Sequence, residues 1–143
     1  MAVIVIAEDE LHIIRVVSLW LRRHGHVVHE ASNGREALEL VRKHVPDLLI
    51  TDVNMPAMDG IELVATCAIE GLPRVGTIVL TSRCDQTEIR NRLEGLDVVF
   101  HPKPFSPSKL TVEVEHLLDC SRGEPAGGDG ELGVTAKHDA IGP

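Results

Sequence analysis

The stretch LLITDVNMPAMDG, residues 48–60, joins a short apolar run to an acidic residue and a loop with turn-forming residues. An unbroken apolar run such as residues 48–50 is typical of a strand that is buried on both faces, as in the middle of a parallel sheet. Residues 3–6, VIVI, have the same character and lead into Glu8 and Asp9. The two runs therefore predict central strands, each followed by acidic residues.

The rest of the chain alternates short Val, Ile and Leu runs with longer stretches of helical period. This alternation is typical of βαβ units, and it predicts strands at residues 3–7, 27–30, 48–52, 77–81 and 98–101. It predicts helices at residues 11–24, 34–44 and 60–70, a shorter one from an Asp85 cap to Gly95, and a last one capped by Ser106. Asn33 is expected to cap the second helix. The fold predicted from this pattern is a doubly wound α/β fold with a five-stranded parallel sheet and five helices on both faces.

The length of the chain favours a single domain. A chain of 143 residues can form one domain with a hydrophobic core and is short for two. Hydrophobic periodicity ends near residue 120, and 6 of the last 23 residues are Gly and 2 are Pro. We therefore predict one domain at residues 1–120 and a disordered C-terminal tail at residues 121–143.

The composition argues against several classes of function. A net charge of -8 without a concentrated basic stripe argues against direct binding of nucleic acid. Cys67, Cys84 and Cys120 are far apart and form no CxxC pair, which favours reduced thiols in a cytoplasmic protein. No apolar run has the length and flanks of a signal peptide or a membrane span. The expectation is a cytoplasmic protein with no membrane segment.

The residues that follow the predicted strands are the first candidates for function, because ligands of open parallel sheets bind at the carboxyl ends of the strands. These positions carry three carboxylates, two hydroxyls and one ammonium group, on Glu8, Asp9, Asp52, Thr81, Ser82 and Lys103. A single acidic residue after a strand is often only a turn former or a helix cap. A chemically complementary set along one edge favours a functional site instead.

Three carboxylates at one edge would repel one another unless a cation shared the site. The available donors are hard oxygens, which favours Mg²⁺ or Mn²⁺ over zinc. Such an ion keeps positions open for phosphate oxygens, and Thr81 and Lys103 can meet the remaining oxygens of a phosphoryl group. The set therefore indicates phosphoryl transfer with a carboxylate as the nucleophile.

Four motifs resemble one known family. They are IAEDE at residues 6–10, LLITDVNMPAMDG at 48–60, LTS at 80–82 and HPKPF at 101–105. With these motifs at these spacings, about residues 2–119 resemble the receiver domains of two-component response regulators, whose single-domain members include the CheY-type chemotaxis proteins. The resemblance implies the flavodoxin-like, CheY-like form of the doubly wound fold.

The resemblance also implies roles for the acidic residues. Asp52 would be the phosphoacceptor, and Asp9 and Asp52 would ligate Mg²⁺ through their carboxylates. Glu8 would act partly through water, and the backbone carbonyl of Asn54 would be a further ligand. Glu8 is longer than the Asp that is commoner in the family at this position.

Further roles implied by the resemblance concern the phosphoryl group and the switch. Thr81 would close onto the phosphoryl group and Lys103 would contact it directly, with a cis peptide bond between Lys103 and Pro104. Phe100 occupies the position of the family's switching aromatic residue. Because Phe100 lacks the hydroxyl of a Tyr, switching would work by ring burial alone.

The partners implied by the resemblance are proteins. A histidine kinase or a histidine phosphotransfer protein would donate the phosphoryl group, and the chain would catalyse its own phosphorylation and slow hydrolysis. Output would be phosphorylation-dependent binding to a downstream protein, whose identity the sequence leaves open, or onward phosphotransfer. The protein is expected to be a monomer or a weak dimer that depends on phosphorylation.

Four alternatives remain at this point. A phosphohydrolase of the haloacid-dehalogenase type would carry a DxD pattern, whereas the chain has Asp52, Val53 and Asn54. A flavodoxin-like cofactor binder would need a Gly-rich or Ser/Thr-rich phosphate loop after the first strand, and none is present. A receiver-like module that only binds partners is less consistent with the full residue set. A receiver excised from a hybrid kinase is disfavoured by Met1 so close to the first strand.

Overall fold

In the computed structural model a parallel sheet forms the centre of the molecule. The structure describes residues 2–81, 86–103 and 106–121. Within these residues the strands are β1 Val3–Ala7, β2 Val27–Ala31, β3 Leu48–Asp52, β4 Gly76–Thr81 and β5 Val98–Pro102. Their order in the sheet is β2-β1-β3-β4-β5, and all neighbouring strands run parallel. The predicted doubly wound fold is confirmed.

The helices alternate with these strands along the chain. In the part that the structure describes they are α1 Leu11–Arg23, α2 Gly34–His44, α3 Gly60–Ile69, α4 Gln86–Arg92 and α5 Pro107–Ser121. The predicted ends of the first three differ from these by at most one residue. Asn33 caps α2 as predicted, because its side chain accepts a hydrogen bond of 2.8 Å from the backbone N of Glu36.

The predicted end of the fourth helix at Gly95 is wrong, because α4 ends at Arg92. The backbone N of Leu93 still donates to the carbonyls of Ile89 and Arg90, and the N of Leu96 donates to Leu93. Gly95 lies at φ +88°, a conformation that ends helices rather than extending them. The last residues before Gly95 therefore form a tight turn.

The core lies on both faces of the sheet. One cluster joins the sheet to α2, α3 and α4 through residues such as Val41, Val64 and Ile89. The other joins it to α1 and α5 through residues such as Leu21 and Leu110. Every residue of β3 is buried, and all of β1 except its first residue is buried, so the prediction of two central strands is confirmed. β4 is buried throughout as well, in addition to the two central strands that the sequence predicts.

Several predicted features lie outside the described residues. They are Ser82, Cys84, the Asp85 cap, the bond from Lys103 to Pro104, and the predicted tail at residues 121–143 apart from Ser121, which is the last residue of α5. Among the helices that the structure describes, none has both the length and the hydropathy needed to cross a bilayer.

Candidate functional site

The register of the sheet brings the ends of four strands to one edge. Ala7 pairs with Thr51, Asp52 with Leu80, and Thr81 with Pro102. The residues at or just beyond these pairs are the predicted site residues Glu8, Asp52, Thr81 and Lys103. A parallel sheet with this register therefore delivers the four side chains to one place, which we call the rim.

Three carboxylates meet at the rim. Single carboxylate oxygens of Glu8, Asp9 and Asp52 all lie within 4.8 Å of one another. Glu8 is fully buried, Asp52 is 7% exposed and Asp9 is exposed to solvent. The predicted acidic cluster is thus formed, with two members inside the protein and one at its surface.

Lys103 lies between the two buried carboxylates. Its Nζ donates a hydrogen bond of 3.0 Å to Oδ2 of Asp52 and lies 3.4 Å from Oε1 of Glu8. The backbone N of Lys103 donates to the carbonyl of Thr81 at 2.8 Å, which fixes the start of the loop after β5 to the end of β4. The ammonium group is therefore held where it can neutralise charge on Asp52.

The electrostatics of the rim favour a proton on Glu8. Burial, followed by the charge of Asp52, raises the pKa of Glu8 from 4.5 to about 7, although Lys103 acts in the opposite direction. Burial alone would lower the pKa of Lys103, but its hydrogen bond to Asp52 and the charges of Asp52 and Glu8 outweigh burial and raise that pKa. Lys103 is thus a permanent cation that does not fully compensate the two buried carboxylates.

The backbone around Asp52 is tightly constrained. The Oδ1 atom of Asp52 accepts a hydrogen bond of 2.7 Å from the backbone N of Val53, and the N of Gly60 donates to the Val53 carbonyl at 2.7 Å. A Cβ atom on Gly60 would lie 2.0 Å from the carbonyl oxygen of Asp52. Only glycine permits this approach, so the start of α3 fixes the position of Asp52.

A second close glycine contact, at Gly34, is not predicted by the sequence pattern, which indicates only that Gly34 begins a helix. A Cβ atom on Gly34 would lie 2.0 Å from the carbonyl oxygen of Met58. The start of α2 therefore packs closely on the loop that follows Asp52. The sequence carries no signal for this contact, because it depends on how two segments that are distant along the chain pack together.

The remaining predicted residues take different positions. Thr81 is buried at the end of β4, and Asn54 is exposed in the loop after Asp52. Phe100 is half-buried on β5, where it pairs in register with Val79. The described contacts thus join Glu8, Asp9, Asp52 and Lys103 into one cluster.

The donors at the rim fit a hard divalent cation. Oε1 of Glu8 is buried and has no hydrogen bond among the described residues, and the Lys103 ammonium 3.4 Å away is shared with Asp52. A buried carboxylate oxygen of this kind is costly unless a cation or a proton compensates it. Three carboxylates offer the oxygen ligands that Mg²⁺ or Mn²⁺ takes in proteins. The residues that are present therefore suit the metal that the sequence predicts.

Comparison with known proteins identifies the family to which the chain belongs. The family described as the response regulator receiver domain matches residues 4–115 of this chain, and the chain belongs to that family. The family predicted from the sequence motifs is thereby confirmed.

Individual relatives agree with this assignment. The transcriptional regulatory protein SrrA of Staphylococcus aureus is 37% identical over 118 residues, a match that covers 80% of this chain and 47% of SrrA. The chain thus spans about half the length of the curated relatives it matches. The chemotaxis response regulator CheY4 of Vibrio cholerae is 29% identical, with a TM-score of 0.73 over 82% of this chain and 98% of that chain. The receiver domain of the hybrid histidine kinase CckA is 30% identical, with a TM-score of 0.67 over 81% of this chain and 98% of that chain.

Proposed function

We propose that this receiver domain accepts a phosphoryl group on Asp52 in a Mg²⁺-dependent reaction. The observation that carries the proposal is the position of the Asp52 carboxylate, nearly buried at the end of β3. It lies 3.0 Å from the Lys103 ammonium and shares one cluster with the carboxylates of Glu8 and Asp9. A buried carboxylate that lies beside an ammonium group and two further carboxylates is suited to accept a phosphoryl group when a metal ion shares the site.

The proposed metal ligands are the carboxylates of Asp9 and Asp52, the backbone carbonyl of Asn54, and Glu8 in part through water. The ion would be Mg²⁺, with Mn²⁺ as a substitute. When bound, it would supply positive charge for the oxygens of the transferred phosphoryl group. Oε1 of Glu8 is buried and shares the Lys103 ammonium with Asp52, which supports a need for such charge.

The chain's own residues position the acceptor and stabilise its product. An Asp52 oxygen attacks the phosphorus in line, the new O–P bond forms, and the bond to the donor's imidazole nitrogen or small-molecule oxygen breaks. Lys103 stays charged throughout, because its pKa lies above the ordinary value. It can therefore move from the Asp52 carboxylate to an oxygen of the phosphoryl group without a proton transfer. The Thr81 hydroxyl would donate to another of these oxygens.

The proposed partners follow from the chemistry of an aspartyl phosphate. The donor is a phosphohistidine on a histidine kinase or a histidine phosphotransfer protein. Closure of Thr81 makes room for Phe100 to turn inward, which alters the face formed by α4, β5 and α5. Output is binding to a downstream protein or onward phosphotransfer in the cytoplasm, with no direct contact to nucleic acid. The protein acts as a monomer or as a weak dimer that depends on phosphorylation.

Treatment with acetyl phosphate tests the proposal. Intact-protein mass spectrometry should show addition of one phosphoryl group with Mg²⁺ present and none when the metal is chelated. Asp52→Asn should remain unlabelled. Asp59→Asn is the matched control, because Asp59 lies in the same loop and caps α3 through its side chain, a task that Asn performs equally well. Labelling of Asp52→Asn to the wild-type extent would refute the proposal.

A further inference from the structure

An arginine of α4 lies over the aromatic ring of Phe100. The Cζ atom of Arg90 is 5.3 Å from the ring centroid, within the range of a cation–π interaction. Both side chains are half-buried. The neighbouring Ile89 is buried in the core, which fixes this part of α4 against the sheet. The contact therefore joins a core-anchored helix to a residue of β5.

Phe100 is close in the sheet to the proposed phosphoryl-binding residue Thr81. Phe100 pairs with Val79 on β4, and Thr81 lies two residues further along the same strand. Since side chains alternate along a strand, Val79 and Thr81 face the same side of the sheet. The ring of Phe100 packs against the hydrophobic cluster on the side of α2, α3 and α4. A movement of the Thr81 side chain toward Asp52 would open space on this side of the sheet.

We propose that Arg90 is a positioning residue that holds Phe100 in its half-buried position and opposes the inward turn of the ring. This inference rests on the proposed function. If the ring turned inward it would leave the guanidinium group, or it would draw a charged group further into the protein. The first change loses the cation–π contact and the second carries a desolvation cost. Either cost favours the conformation without a phosphoryl group.

The expected size of the effect is modest. A cation–π contact at a partly exposed site shifts an equilibrium by about two- to fivefold. Removal of the cation should therefore raise the inward population of the free protein by that factor. A ligand that binds the inward state gains apparent affinity in the same proportion.

The test uses the aromatic composition of the chain, which contains two Phe residues and no Tyr. The full chain is labelled with ring-¹³C phenylalanine, and Phe105→Leu identifies which ring signals belong to Phe100. Beryllofluoride with excess Mg²⁺ serves as the phosphoryl analogue, and its own fluorine signals report binding in the same sample. The variants are Arg90→Met, which keeps the apolar stem, and Arg90→Lys, which keeps a cation. Arg92→Gln removes the same charge from an exposed position of the same helix.

In free Arg90→Met the Phe100 ring signals should lie closer to their beryllofluoride-loaded positions than in wild type. Half-saturation should need about two- to fivefold less beryllofluoride. Arg90→Lys should lie between Arg90→Met and wild type, and Arg92→Gln should match wild type.

The inference is overturned if Arg90→Met has the wild-type half-saturation, or if Arg92→Gln shifts the signals as far as Arg90→Met does. Absence of bound beryllofluoride signals in wild type would instead overturn the proposed function itself. The two failures are thus distinguished within one set of spectra.

Discussion

Two groups of oppositely charged side chains in this molecule differ in their burial and in the distances between their charged atoms. At the rim, the Lys103 Nζ atom lies 3.0 Å from Asp52 and 3.4 Å from the fully buried Glu8. On the surface, Arg42 of α2 forms a two-pronged contact with Glu70 just after α3, with a shortest distance of 2.6 Å. The side chains of Arg42 and Glu70 are 52% and 33% exposed. Judged by distance alone, the surface pair is the better ion pair.

The pKa values of the two groups show that burial matters more than distance. Hydrogen bonding to Arg42 lowers the pKa of Glu70, so this carboxylate simply remains charged. Burial and the charge of Asp52 raise the pKa of Glu8 to about 7, so this carboxylate is destabilised as an anion near neutral pH. The surface pair is complete in itself. At the rim a single ammonium group faces three carboxylates, and a divalent metal ion can supply the missing positive charge.

The largest expected effect follows from removal of the rim cation. Lys103→Met leaves Asp52 without its 3.0 Å ammonium partner and removes a charged hydrogen bond from the phosphoryl analogue. Affinity for beryllofluoride in excess Mg²⁺ should fall by about 10- to 100-fold. A fluorine NMR titration measures this affinity directly. Arg42→Met is the matched control, since it removes a cation of comparable size from the surface pair and should bind as wild type does. Equal losses in the two variants would contradict the distinction between the groups.

Most of the rim could be predicted from the sequence, and the reason is physical. Strand ends can be located from apolar runs, and the parallel arrangement then forces Glu8, Asp52, Thr81 and Lys103 to one edge. Hydrophobic period also located the helices, because it reports which side of a helix faces the core. These are properties of each segment by itself.

Contacts between segments could not be predicted in this way. The close approach of Gly34 to Met58 and the position of Arg90 over Phe100 depend on how two elements pack, and neither contact leaves a trace in the local pattern. The full burial of Glu8 has the same origin, because a residue just after a strand can be covered or exposed by distant parts of the chain. The end of α4 was misplaced since its polar sequence has little periodicity to follow.

The second largest expected effect is the competition between a proton and the metal ion at Glu8. A proton on Glu8 competes with the ion for the same oxygens, and the pKa of about 7 means that this proton is present in the metal-free protein below neutral pH. Mg²⁺ affinity should therefore rise by up to about tenfold per pH unit as the pH approaches 7, and then level off. Calorimetric titration with Mg²⁺ at several pH values measures this slope.

The same pKa shift affects the stability of the metal-free protein in the opposite direction: Mg²⁺ affinity should rise with pH, whereas the free energy of unfolding should fall. Between pH 4.5 and about 7 the folded state keeps a proton that the unfolded chain has released, so the free energy of unfolding should fall as the pH rises through this range. Glu8→Gln should reduce both pH dependences because it cannot titrate. If Glu8→Gln retained the full slope of Mg²⁺ affinity, another group would have to be responsible.

The smallest expected effect belongs to the surface pair, despite its short distances. Arg42→Met, Glu70→Gln and the double variant should unfold at temperatures close to that of wild type, because exposed ion pairs gain little over hydration and are screened by salt. Leu49→Ala, a truncation in the fully buried strand β3, provides the scale, with an expected loss of about 2–5 kcal/mol. Thermal unfolding monitored by circular dichroism at low and high salt makes the measurement. Suppose that Arg42→Met lost nearly as much stability as Leu49→Ala and that the loss was the same at low and high salt. The geometry of the ion pair, and not its burial, would then determine the energy of both charged groups.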